Sequence, residues 1–276
     1  MKRSSIVLAR CIGFVETYDL SPNGRLFFTD LVRELVSRYE FQKFPKDYSE
    51  FDETKGIEFL EGRRGEDVIW RLAIYNTGVL VDTRSNTTLS REIMEEAFLW
   101  AKDTFGLNYE PGMVKRFAYI SQVTFYSEGT LSMLNPVLSR IARRVTQAVS
   151  EFQKAKVDYE TATLGIHHDA LDRKNQVAGF VVSPRIETPL SEHKYFSEAP
   201  LTTDLHWELL EELEAALLGR EPSSQDISSV LSDAAKSVSF WMEHMDGTEL
   251  GELQKAADII KSVKQSALQR QQALLR

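Results

Sequence analysis

The chain has 276 residues, of which 42% are hydrophobic and 27% are charged, a composition that excludes a disordered or fibrous protein. Its 33 basic and 41 acidic side chains give a net charge of −8, so the overall field repels nucleic acid and anionic membranes. Cys11 is the single cysteine, which excludes an intrachain disulfide and multi-thiolate zinc sites; we expect a buried, inert thiol. Because no apolar run has the length of a signal peptide or a membrane span, we expect a protein of the cytoplasm.

Residues 1–110 predict a first unit with the order β-α-β-β-β-α. Residues 4–16 are rich in β-branched and apolar types, which predicts a strand, and the apolar spacing over 26–39 predicts a helix. Three short strands joined by glycine-containing connections then predict an antiparallel meander, over 57–60, 68–75 and 79–83. Thr88 or Ser90 is placed to cap a second helix that closes the unit.

Residues 111–220 predict a second unit with nearly the same order of elements. Asn135 and Pro136 are typical of a helix start, and an amphipathic pattern follows them. The other expected elements are strands over 117–126, 157–168 and 175–187, a loop over 189–200, and a helix over 204–218. The repeated order predicts an internal duplication. Two such halves would share one mainly antiparallel sheet with helices on one face, a saddle-like α+β architecture.

Residues 221–276 differ in composition from the rest and predict a C-terminal helical hairpin. Residues 221–226 resemble a linker, and apolar residues then recur three and four apart on both sides of a break at 246–248. The hairpin would either pack on the body or dock on another chain. Aromatic and methionine anchors often dominate such interfaces. The expected interface residues are Trp241, Met245, Leu253, Ile260, Val263 and Leu268.

The preferred functional hypothesis is a non-catalytic interaction protein without a cofactor. The sequence lacks the common dinucleotide, NTPase, metalloprotease and hydrolase motifs. Its partner would be another protein chain, either a second copy or the rest of a larger complex, docked through residues 227–275. The chain would then be an accessory or adaptor subunit that does not engage a membrane.

Two alternatives rest on local clusters of side chains. The first is nucleic-acid binding by the open face of the saddle, with basic side chains contacting phosphates. Its residues are Arg63, Arg64, Arg140, Arg143, Arg144 and the lysines of the C-terminal tail. The second is a metal-dependent hydrolase or nuclease around His167, His168 and Asp169, completed by His193. Because adjacent strand residues point to opposite faces, a solvated strand end also explains the paired histidines.

Overall fold

Helices and strands alternate along residues 1–21, 28–46, 56–168 and 178–220, the parts of the chain that the computed structural model describes. The helices in these parts are α1 (Thr17–Leu20), α2 (Phe28–Tyr39), α3 (Thr87–Phe105), α4 (Pro136–Gln153) and α5 (Thr203–Leu217). The strands are β1 (Lys2–Phe14), β2 (Ile57–Arg64), β3 (Asp67–Tyr75), β4 (Gly78–Thr83), β5 (Arg116–Tyr126), β6 (Leu164–Ile166), β7 (Phe180–Pro184) and β8 (Lys194–Ala199). The predicted hairpin over 221–276 lies outside the described residues.

All eight of these strands belong to one antiparallel sheet, in the order β2-β3-β4-β1-β5-β8-β7-β6. β1 and β5 pair at the centre, and β2 and β6 form the two edges. The α+β class and the mainly antiparallel sheet predicted from the sequence are therefore confirmed.

The hydrophobic core consists of two clusters on the same face of the sheet. Along β5, Phe117 and Tyr119 pack against the first cluster, and Val123 and Phe125 belong to the second. These residues are spaced by two along the strand, so their side chains share a face. α2 and α3 cover the first cluster, and α5 covers the second. Their buried residues include Leu31, Leu35 and Tyr39, then Ile93, Met94 and Phe98, and finally Trp207, Leu210 and Leu217.

The two halves repeat one topology about the central pair of strands. Outward from the centre, one half runs β1-β4-β3-β2 and the other runs β5-β8-β7-β6. Ala9 pairs with Ser121 at the centre. Above this pair, the backbone N–H of Thr87 donates to Thr203 Oγ1 at 3.2 Å, and that of Thr203 donates to Thr87 Oγ1 at 2.9 Å. Residues counted equally from these two pairs therefore occupy equivalent positions in the two halves.

Equivalent positions on the other face of the sheet carry equivalent polar pairs. Arg10 donates two hydrogen bonds to Asp82, at 2.7 and 2.8 Å, and only 5% of the Asp82 side chain is exposed. In the second half, Gln122 occupies the position of Arg10 and donates to Glu198 at 2.5 Å. Hydrogen bonds of this kind satisfy buried polar groups that would otherwise destabilise the sheet.

The sequence predicted the strands of the second half less well than those of the first. The expected strand over 157–168 contracts to β6, because Val157 and Tyr159 bond to side chains of α4. The expected loop over 189–200 was wrong, since it contains β8. In β8, buried Tyr195, Ser197 and Ala199 alternate with more accessible residues. Small and hydroxyl side chains give a weak apolar signal, so the period of two was missed.

Candidate protein-binding surface

α4 is a helix whose ends are fixed by the residues that flank it. At its start, Asn135 Oδ1 accepts hydrogen bonds from the backbone N–H of Val137 at 2.9 Å and of Leu138 at 3.4 Å. At its end, Lys154 takes a left-handed conformation with φ of 52°, and its N–H bonds to the carbonyl of Ser150. An N-cap of this type stabilises a helix by about 1 kcal/mol. Local sequence therefore defines α4 without help from the core.

One side of α4 is apolar and exposed. Val137, Ile141, Val145 and Phe152 recur at intervals of four or seven, so they share one side of the helix. Their exposed fractions are 52%, 50%, 38% and 79%. We refer to these four residues as the α4 stripe. Single exposed apolar residues are ordinary, whereas a continuous row of them marks a surface that contacts another molecule.

The segment after α4 folds back along the helix. Ser150 Oγ accepts from the N–H of Val157 at 3.1 Å and lies 3.2 Å from the Val157 carbonyl, to which it donates. Thr146 Oγ1 accepts from the N–H of Tyr159 at 2.9 Å. We call residues 155–159 the strap. The strap is bonded to the polar Thr146 and Ser150, and the α4 stripe stays exposed.

The equivalent helix of the first half, α2, is packed against the sheet. Its Leu31, Leu35 and Tyr39 are buried in the first cluster. Its Arg38 donates to Glu96 of α3 at 2.6 Å, which ties the helix to its neighbour. By contrast, every α4 side chain that the structure describes is at least partly exposed. The two halves thus share their topology but differ in how they bury the first long helix.

An open apolar groove lies between the edge of the second half and α5. It has a volume of about 720 Å³, and the side chains that form it come from β6, β7 and α5. We call it the second-half groove, and its apolar lining includes Leu164, Ile166, Phe180, Leu209, Leu213 and Ala216. In the first half, the space between α2 and α3 has a volume of only about 100 Å³. A helix fills the first space, and the second stands open.

The exposed helix and the groove carry opposite charges. α4 has three arginines and one glutamate, Arg140, Arg143, Arg144 and Glu151. α5 has five acidic residues and no lysine or arginine, and its Glu212 lines the groove. Its Glu211 pairs with Arg3 at 2.9 Å, and its Glu214 pairs with the Met1 ammonium group. The acidic helix is therefore an electrostatic match for the basic one.

The sequence-predicted residues fall in several separate places. The six interface residues of the C-terminal hairpin, from Trp241 to Leu268, lie outside the described residues and stay a prediction. Arg63 and Arg64 end β2, where Arg64 pairs with Glu96 at 2.7 Å. The three arginines of α4 belong to the other half of the chain. The predicted basic residues thus form at least two groups, of which the α4 group is the larger.

The predicted metal ligands are separated by a strand. His167 follows β6, and its ring lies against Gly165 and Gly179. The sheet register places this residue near the Ala199 end of β8, while His193 precedes Lys194 at the other end. A strand of six residues is about 20 Å long. Asp169 lies outside the described residues, and within them no three His, Cys, Asp or Glu side chains are grouped to hold a metal ion.

Two further titratable groups that the sequence singled out belong to the core. His206 is fully buried, with Nε2 2.8 Å from Ser197 Oγ, and burial lowers its pKa to about 4. Cys11 is also buried, and desolvation raises the pKa of its thiol to about 12, although Arg91 opposes the shift. A neutral imidazole and a protonated thiol in these positions stabilise packing and have no access to a ligand.

The comparisons with known proteins leave these surfaces to be interpreted from their own geometry. No protein-family model matches the chain, and no curated protein matches it significantly in sequence. Within the described residues, no helix combines the length and the apolar character needed to cross a bilayer.

Sequence analysis identified α4 as amphipathic but missed the groove. Its signal is a second apolar row on α5, at Leu205, Leu209 and Leu213, beside the row that is buried against the sheet. A helix with two apolar rows packs on two sides, and the described neighbours cover only one of them.

Proposed function

We propose that this chain is a non-catalytic interaction protein, an accessory or adaptor subunit that docks onto other protein chains. The observation that carries the proposal is the α4 stripe, a row of apolar side chains on a capped helix that the sheet leaves uncovered. An amphipathic helix of this kind binds by laying its apolar side into a groove. Burying each side chain of the stripe contributes about 1.5 to 3 kcal/mol when exposure is the alternative.

The wider architecture supports a role in assembly. The repeated topology of the two halves supports the proposed internal duplication, in which one half kept its long helix on the sheet and the other presents it. The C-terminal helices over 227–275 would supply a further docking surface. Oligomerisation and membership of a larger complex follow from the same apolar surfaces.

The experiment is a capture from the source cells with three forms of the full chain. The test variant is Ile141→Glu, which places a charge in the α4 stripe. The matched control is Gln147→Glu, which adds the same charge at an exposed position on the other side of the same helix. A specific partner should be retained in stoichiometric amount by the wild type and the control, and lost with the test variant.

The captured chain is then identified and titrated with the purified proteins. We expect Ile141→Glu to weaken its binding at least tenfold and Gln147→Glu to change it less than twofold. Equal binding by all three forms, or no stoichiometric partner with any of them, would refute the proposal for α4.

The three arginines of α4 support nucleic-acid binding as a second candidate. Arg140, Arg143 and Arg144 are exposed on one helix, and such side chains neutralise phosphates. Phosphate contacts make affinity fall steeply with added salt, whereas apolar docking does not. A titration of fluorescent DNA and RNA at two salt concentrations distinguishes the candidates. Salt-insensitive or absent binding removes this one.

A further inference from the structure

We infer that the second-half groove is the seat for α4 of a second copy of this chain, so that two copies exchange these helices about a two-fold axis. The inference rests on the proposed function and names the partner of the α4 stripe. Each copy supplies one helix and one groove, which closes the assembly at two chains.

The first half shows which kind of element such a groove holds. There, α2 lies against α3 and the edge of the sheet, and its apolar side is buried. Counted from the reciprocal Thr87 and Thr203 pair, Leu213 on α5 occupies the position of Ala97 on α3, and Ala216 occupies that of Trp100. Both α3 residues line the small space beside α2, and both α5 residues line the open groove. The groove is thus the counterpart of a helix seat.

The same count places a charged contact at the seat. Glu212 on α5 occupies the position of Glu96 on α3, and Glu96 accepts a hydrogen bond from Arg38 of the docked α2. α4 carries Arg140 and Arg144 one turn apart beside its stripe. An arginine from the docking helix would therefore meet Glu212 in the way that Arg38 meets Glu96.

The strap favours a second copy over the α4 of the same chain. It is bonded to Thr146 and Ser150, so only residues 160–163 connect it to β6. Four residues span at most about 14 Å, which is about half the length of α4. Docking into the chain's own groove would require release of the strap. A second copy needs no such change.

The area is sufficient for a specific dimer. α4 has 18 residues, so it is about 27 Å long and about 10 Å wide with its side chains. Two reciprocal helix-in-groove contacts then bury about 1,000 Å² when both surfaces are counted, which reaches the size of a specific interface. A single contact would bury half of that.

The test measures the solution mass of the purified full chain by sedimentation velocity, with one variant on each side of the contact. Ile141→Glu disables the helix, and Ala216→Glu disables the groove. Both positions are exposed, so neither change is expected to unfold the protein; circular dichroism and urea unfolding verify this. Gln147→Glu is the control. We expect the wild type and the control to be dimers and each variant alone to be a monomer.

Mixing the two variants is the deciding step. The intact α4 of Ala216→Glu can enter the intact groove of Ile141→Glu, so one of the two contacts is restored. We expect a mixed dimer that forms at a higher concentration than the wild-type dimer does. No other arrangement of α4 between copies predicts this complementation.

Three results would overturn the inference. They are a monomeric wild type, a dimeric Ala216→Glu, and a mixture that stays monomeric. If the wild type is a monomer while Ile141→Glu still loses a captured partner, the inference fails and the proposed function stands. If no α4 variant changes any binding, both fail.

Discussion

Acidification should destabilise this protein through His206, a buried histidine that resists protonation. The single hydroxyl proton of Ser197 is donated to the carbonyl of Val181 at 2.8 Å, so His206 Nε2 must carry the proton that it shares with Ser197 Oγ. The next proton would have to be placed on Nδ1, which is buried and has no hydrogen-bond partner among the described residues. The rings of Phe180 and Trp207 lie 5.9 and 6.4 Å away.

The magnitude follows from the two pKa values of this group. The unfolded chain titrates His206 near pH 6.5, and burial lowers its pKa in the fold to about 4. Below pH 6.5 the unfolded state therefore binds the extra proton, and stability is lost as the pH falls from 6.5 to 4. From pH 7.5 to pH 5 the loss is about 2 kcal/mol, since each unit of pKa difference is about 1.4 kcal/mol.

The assay is urea unfolding at pH 7.5 and pH 5, with His206→Gln as the comparison. Glutamine donates to Ser197 but does not titrate, so the variant should lose most of the difference between the two pH values. Burial opposes ionisation of Glu214, but the hydrogen bond from the Met1 ammonium lowers its pKa, so that carboxylate stays charged across this range. An equal loss of stability in the wild type and in His206→Gln would refute the assignment.

Two further predictions concern the sheet. Asp82→Asn leaves the Arg10 guanidinium without its charged partner and should cost about 3 kcal/mol in urea unfolding. The double variant Arg10→Gln with Asp82→Glu copies the Gln122 and Glu198 pair of the other half and should recover most of that loss; a double variant as unstable as Asp82→Asn contradicts the equivalence of the two pairs. Because desolvation raises the pKa of Cys11 from 9.0 to about 12, its thiolate population at a given pH is about a thousandfold below that of a free thiol. Reaction with a disulfide reagent should be slower by at least that factor until urea unfolds the chain, and rapid labelling of the native protein would contradict the burial.

The first half could be predicted from the sequence because its apolar residues follow their periods closely. β3 and β4 were expected over 68–75 and 79–83 and begin and end within one residue of those bounds. The helix expected to end near Gly106 does so, since that glycine takes the left-handed conformation that closes α3. Strong local signals and tertiary packing agree in this half.

The candidate surface could be predicted only in part. The period of α4 indicates an apolar side, but periodicity does not say whether another element covers that side. The counterpart helix α2 has the same kind of pattern and is buried. The difference arises from the strap and from the path of the chain into β6, neither of which leaves a periodic signal. The predicted C-terminal interface stays a prediction.

The most direct test of the central claim is hydrogen exchange in α4 as the protein is diluted. A helix without tertiary packing exchanges its amides quickly. If α4 of one copy occupies the groove of another, amides of α4 should be protected in concentrated protein and lose protection over a hundredfold dilution. Residues of β6 and β7 that line the groove should lose protection over the same range. Protection of α4 that does not depend on concentration, or fast exchange at every concentration, would contradict the account.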